Sequence, residues 1–234
     1  NHLRIMIVPA LGGLALGLIA LLLRRYRSGD IVDPIEANAL YGGRMSLFDS
    51  ARLAFVTMIS NAAGASLGME AGYTQFGSGI FSWIGQYFNL RRADMRVFVT
   101  SGAAAAIAAA FNAPLAGAFY GFELVLGSYT PRALAPVALA SLTGAAVVRA
   151  LMGPQALLFQ VGGDLHVAPW LYPCCILLGV VAAWIGIVTM RAATILEQAL
   201  RGAAPADWMR PVFGGLILGV IAMASPQVLG SGHG

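Results

Sequence analysis

The chain has 234 residues, 59% of them hydrophobic and only 10% charged, with a mean hydropathy of +0.77. A soluble domain carries about 25% charged residues, so this composition excludes an ordinary soluble fold and indicates an integral membrane protein built of helices. The net charge of +4 reflects arginines in loops and does not make a nucleic-acid surface.

In chain order, the first apolar span runs over about 5–23 and is followed directly by Arg24, Arg25 and Arg27. An excess of arginine beside a span marks the cytoplasmic end. The polar stretch Ser28-Gly29-Asp30-Ile31-Val32-Asp33 comes next, then a short segment near 34–41. Pro34 in its first turn, with acidic residues around it, is an ordinary helix start. Further spans are expected near 46–66, 71–88, 95–111, 114–127, 131–152, 167–199 and 208–224. A simple crossing needs about 20 residues, so 34–41, 71–88 and 114–127 read as partial or tilted helices. Broken helices are tolerated at membrane depth only where they line a cavity or are covered by protein. That pattern suits a transporter or channel better than an anchor. The 29 glycines exceed the usual share of about 7% and let membrane helices pack closely or break.

Glu70 is the most informative residue. Between Arg52 and Arg91 the chain carries no other charge. A carboxylate at membrane depth costs about 3 kcal/mol or more unless water, a partner or a transported ion meets it. The glycines of Leu67-Gly68-Met69-Glu70-Ala71-Gly72 suggest a helix break that leaves Glu70 at a helix N-terminus. Free N–H groups at such a break bind anions, so a carboxylate that competes for them acts as a gate. The competing structural reading is a buried carboxylate capping a neighbouring helix.

A second break is expected in Phe111-Asn112-Ala113-Pro114, where Asn112 is a suitable N-cap and Pro114 suits the first helical turn. The alanines before it, 103–106 and 108–110, make a close-packing surface. Glu123 is another lone carboxylate on an apolar segment, with a helix-end, subunit-interface or ion-contact role open to it. Cys174 and Cys175 are adjacent, too few for a zinc site and poorly placed to pair with each other. His2, His166 and His233 have no ligand partners at metal spacing, so no metal site is expected.

An internal repeat spans the chain. Pro9 to Ala20 (PALGGLALGLIA) matches Pro211 to Ala222 (PVFGGLILGVIA), and each copy is followed by Ser-Gly, at Ser28-Gly29 and Ser231-Gly232. This suggests a fold of two related halves, with about 1–152 as the first repeat and about 167–234 as the start of the second. The chain lacks an initial Met and ends in what reads as the interior of a loop, so it is expected to be a piece of a longer protein.

Together these segments resemble the CLC family of chloride channels and chloride/proton exchangers. Gly68-Met69-Glu70-Ala71-Gly72 resembles the family's G-[KR]-E-G-P motif, whose glutamate gates the anion path and carries protons. Residues 103–117 are very close to the family's A-A-G-x-A-A-A-F-N-A-P-L-A-G stretch, which includes Asn112 and Pro114. Glu123 matches the first position of the E-E pair that follows. Pro34 to Leu40 resembles the continuation of the G-S-G-I-P-E motif, and Leu229 to Gly232 the Gly-rich loop early in the second half. Departures stand beside these matches. Met69 replaces the usual basic residue, Gly72 replaces the proline, and Leu124 occupies the second position of the E-E pair, where exchangers usually hold the inner proton glutamate. The anion-binding serine falls at Ile31 if the motif is aligned on Pro34, and at Ser28, beside Gly29, if it is aligned on Ser-Gly.

The resemblance implies an all-α, CLC-like multi-helix bundle with inverted repeats, a single transmembrane domain of which the chain covers the middle. It implies transport of chloride or another small anion through a pathway that Glu70 gates, with Ser28, Gly29, Ile31, Gly68, Met69, Ala71 and Gly72 along it. Protons are possible co-substrates, although an apolar Leu124 is channel-like. No cofactor is implied, with chloride as the transported ion. A homodimer in the bilayer of a bacterial inner membrane is expected, with no nucleic-acid partner. The alternatives are a fluoride- or nitrate-selective relative, suggested by the degraded serine motif, and a transport-dead scaffold or sensor. An enzyme is not expected, because no nucleophile motif and no phosphate-binding loop is present.

Overall fold

The computed structural model describes residues 2–26, 31–65, 68–153, 171–203 and 209–224. Among these the chain is helical, without strands. The helices are α1 (His2–Tyr26), α2 (Pro34–Leu40), α3 (Leu47–Ala62), α4 (Glu70–Tyr87), α5 (Arg92–Phe111), α6 (Pro114–Tyr120), α7 (Pro131–Met152), α8 (Leu171–Ala203) and α9 (Arg210–Ala224). A π-helical segment, π1 (Gly121–Leu126), runs on from α6. Among the described residues three helical stretches are long and apolar enough to cross a membrane: Arg92–Phe111, Pro131–Met152 and Tyr172–Ala199. The short α2, α6 and π1 cannot cross alone at 1.5 Å per residue, as their lengths in the sequence suggest.

The core is built on α5. Its alanines 103, 104 and 108 are wholly buried, because neighbouring helices approach its backbone through glycines. Side chains added at Gly77 of α4, Gly117 of α6 and Gly144 of α7 would each lie 2.6 Å from a carbonyl oxygen of α5, on Gly102, Ala104 and Ala105 respectively. Small residues let membrane helices meet at this distance, and the resulting dispersion contacts hold them together. A second apolar cluster, Ala37, Met45, Met95 and Val99, joins α2 to the other end of α5.

The two copies of the internal repeat lie against each other. α1 packs on α9 in a reciprocal contact: Gly13 sits on the carbonyl of Pro211, and Gly215 sits on the carbonyl of Pro9. The matched positions run in opposite directions through the contact, so the two helices are antiparallel. α8 is exposed from Tyr172 to Ala199, with both cysteines on its surface.

The break at Asn112 differs from the sequence expectation. Asn112 is the C-cap of α5, in the left-handed region at φ 51°, and Ala113 is the N-cap of α6. Asn is suited to either role because its short amide tolerates φ > 0. Its side-chain oxygen accepts from Arg149 Nε of α7, and no side-chain hydrogen bond caps the helix that follows. Pro114 does open α6. Its carbonyl accepts from Ser141 Oγ, which ties the break to α7.

Candidate functional site

α3 ends at Ala62, the chain turns through Gly64 at φ 93°, and α4 begins at Glu70. Among the described residues the first turn of α4 has no side-chain cap: Met69 occupies the N-cap position and makes no capping hydrogen bond. N–H groups at a helix start have no intrahelical partner and carry partial positive charge. Glu70 is half-buried at this end. Its carboxylate folds back over Gly68, filling the space that a side chain at position 68 would need. Among the described residues it makes no hydrogen bond. The backbone around it is held firmly. Thr74 Oγ1 donates to the Glu70 carbonyl at 2.8 Å, and a side chain added at Gly72 would meet the Thr57 side chain of α3 at 3.4 Å. Thr57 also lines a cavity of about 430 Å³, between α1, α3 and α9, whose wall includes Ser60, Gly13 and Gly214.

One face of α4 is polar and buried. Gln75 is 1% exposed, and its Nε2 donates to the Val32 carbonyl at 2.9 Å and to Ser50 Oγ at 3.3 Å. Ser82 Oγ donates to the Gly43 carbonyl and accepts from Met45 N–H, each at 2.8 Å. Gln86 Nε2 reaches the Met45 carbonyl at 2.9 Å. These bonds fix the backbone on both flanks of α2 to the helix that begins with Glu70. The sequence reading did not single out these residues. Their spacing of seven and four is helical, but their partners lie far away in the chain.

Of the residues proposed for the anion path, Gly68, Met69, Glu70, Ala71 and Gly72 form the start of α4 and its approach. Ile31 is half-buried just before Val32, whereas Ser28 and Gly29 lie outside the described residues, as does Ser231-Gly232. At the start of α2 one amide is already taken: Asp33 Oδ1 accepts the Glu36 N–H at 2.8 Å. Asn38, 1% exposed, donates from Nδ2 to the carbonyls of Arg96 and Val125 and to Thr100 Oγ1, at 3.2, 3.1 and 2.9 Å. It locks α2 to α5 and to the end of π1.

Glu123 stands elsewhere, on π1. Its Oε1 accepts from the Tyr129 hydroxyl at 2.6 Å, and the Tyr129 ring packs on Phe122 and Phe119 at centroid distances of 5.3 and 6.3 Å. That hydrogen bond first, then burial and the carboxylate's charge, hold the Tyr129 phenol above its ordinary value of 10.0. Leu124, beside it, is exposed. Among the described residues no group of acidic, His or Cys side chains could hold a metal.

The family model described as voltage-gated chloride channel matches residues 12–234. A ClcB-like protein of Ralstonia nicotianae is 31% identical over 97% of this chain and 54% of its own length. The voltage-gated ClC-type chloride channel ClcB of Escherichia coli K12 is 28% identical over 98% of this chain and 55% of its own length. The chain thus spans about half the length of the curated relatives it matches. Among solved structures, a CLC-type fluoride/proton antiporter superimposes with a TM-score of 0.65 at 19% identity, over 97% of this chain and 67% of the other. That likeness supports the fold.

Proposed function

The chain belongs to the family of voltage-gated chloride channels, and from that premise we propose that it forms part of a transmembrane pathway for chloride in which Glu70 is the gate. It is an integral membrane protein, and we place it in a bacterial inner membrane as a homodimer.

The observation that carries this reading is the start of α4. A helix N-terminus with no described side-chain cap presents N–H groups and a positive dipole end, and the side chain standing there is a carboxylate with no described hydrogen-bond partner. A halide stripped of water needs that kind of environment, and an ionised carboxylate competes for it. When Glu70 is ionised it holds the anion position and closes the path. When it is protonated the dipole no longer favours it there, so it leaves and the halide enters. The buried glutamine and serine bonds of α4 keep the surrounding backbone in register while the side chain moves. At the start of α2, Asp33 already engages the Glu36 amide, so the positive end of α4 carries more of the work.

Leu124 offers no proton carrier beside Glu123, so chloride should move without driving protons uphill. Chloride efflux from liposomes holding the full-length protein, with internal pH followed at the same time, tests this. Chloride flux with no proton pumping is expected. Uphill proton movement would make the protein an exchanger and assign a proton route that avoids Leu124. Flux of fluoride or nitrate in place of chloride would move it to a relative of different selectivity, and no anion flux would leave a membrane scaffold.

A further inference from the structure

Gly68 stands apart from the other glycines in what its missing side chain makes room for. Among the described residues, the glycines whose backbone lies in the left-handed region are Gly42, Gly43, Gly64, Gly127 and Gly153, and Gly68 is not among them. The three atoms nearest to a side chain added there are Oε2, Cδ and Oε1 of Glu70. Elsewhere in the core the glycines face the backbone or side chains of neighbouring helices: Gly77 faces the Gly102 carbonyl, Gly117 the Ala104 carbonyl and Gly79 the Ser50 side chain. At Gly68 the space is claimed by a single carboxylate, two residues further along the chain.

We propose that Gly68 is the seat of the Glu70 carboxylate in the closed state, and that the absence of a side chain at position 68 is what permits closure. The inference rests on the gating role of Glu70 and deepens it. The carboxylate reaches its closed position by folding back over the residue before the N-cap, so a single methyl group at position 68 occupies the same volume. Glu70 has rotatable side-chain bonds and is only half-buried, so the helix need not distort. The carboxylate moves out instead, and the anion position is left open. Gly68 acts as a positioning residue through Glu70 and does not itself need to touch the anion.

The test is chloride flux as a function of pH in liposomes holding the full-length protein, for the wild type, Gly68→Ala, Glu70→Ala and the double variant. Gly68→Ala should raise flux at neutral pH and bring the ratio of acid to neutral flux towards one, as Glu70→Ala does. In the double variant Gly68→Ala should add nothing to Glu70→Ala. If Gly68→Ala keeps the wild-type pH dependence while Glu70→Ala loses it, the seat is refuted and the gate stands. If Glu70→Ala itself keeps wild-type pH dependence, the gating reading fails. Should Gly68→Ala alone fail to assemble, the double variant decides. Recovery of assembly on removal of the Glu70 side chain supports a clash with that side chain alone, and continued failure overturns the proposal.

Discussion

The crossing of α4 and α5 can be tested one methyl group at a time. A Cβ on Gly77 would stand 2.6 Å from the Gly102 carbonyl oxygen and 3.0 Å from Ala106 Cβ, and a Cβ on Gly102 would stand 2.5 Å from the Gly77 carbonyl oxygen. Ordinary contact begins at 3.4 Å, so Gly77→Ala requires the two backbones to part by about 0.8 Å. The obstructing atoms are backbone on a rigid helix, and no side-chain rotation relieves them. Overpacking of this kind costs about 1–3 kcal/mol, and replacing a helical glycine by alanine returns at most about 1 kcal/mol. The net loss is therefore about 0–2 kcal/mol for either variant, towards the upper end because the obstructing backbone atoms cannot rotate away, weighed from the same two effects. At about 2–4 °C per kcal/mol for a chain of this size, thermal unfolding in detergent should fall by several degrees. Gly72→Ala is the control, since the atoms nearest to its new methyl group belong to the Thr57 side chain and lie at 3.4 Å or more, and it should be neutral or slightly stabilising. Unchanged or raised melting of both Gly77→Ala and Gly102→Ala would refute the close crossing.

Two further outcomes follow from the same geometry. Asn38→Leu keeps the branched shape but leaves the buried Val125 carbonyl without its donor, which should cost about 1–3 kcal/mol, and a melting temperature equal to the wild type would contradict the lock between α2, α5 and π1. The Tyr129 phenol is raised by Glu123, so the stabilisation it lends is present at neutral pH and is lost only as pH rises through that raised value. Absorbance titration of the wild type against Tyr129→Phe should show a late-titrating phenol that Glu123→Gln brings down, and no change on Glu123→Gln would break the assignment.

Much of this architecture is legible in the chain because apolar spans, glycines and prolines punctuate it. Glu70 could be placed at a helix start because it is the one charge in a long apolar stretch and glycines stand on both sides of it. Pro114 opens α6 for local steric reasons. α1 and α9 meet at matched positions of two similar Gly-rich segments, Pro9 and Gly13 against Gly215 and Pro211. What sequence reasoning missed depends on non-local partners. Asn112 could cap either helix, and the choice goes with Arg149, which is 37 residues away. Gln75, Ser82 and Gln86 form a readable helical stripe, but nothing local says that the stripe grips the flanks of α2. The π-helical turn of π1, which leaves Glu123 and Leu124 outward and Phe122, Val125 and Leu126 buried, has no local sequence signal of its own.

The central claim is that the Glu70 carboxylate gates the anion path, and Glu70→Gln tests it most directly because it keeps the size of the side chain and removes only the ionisable group. Chloride flux should be measured across a pH series in liposomes, for the full-length protein and this variant side by side. The account predicts flux at neutral pH at least as high as that of the wild type under acid conditions, and little dependence on pH. A Glu70→Gln protein that retains the wild-type pH profile would contradict it.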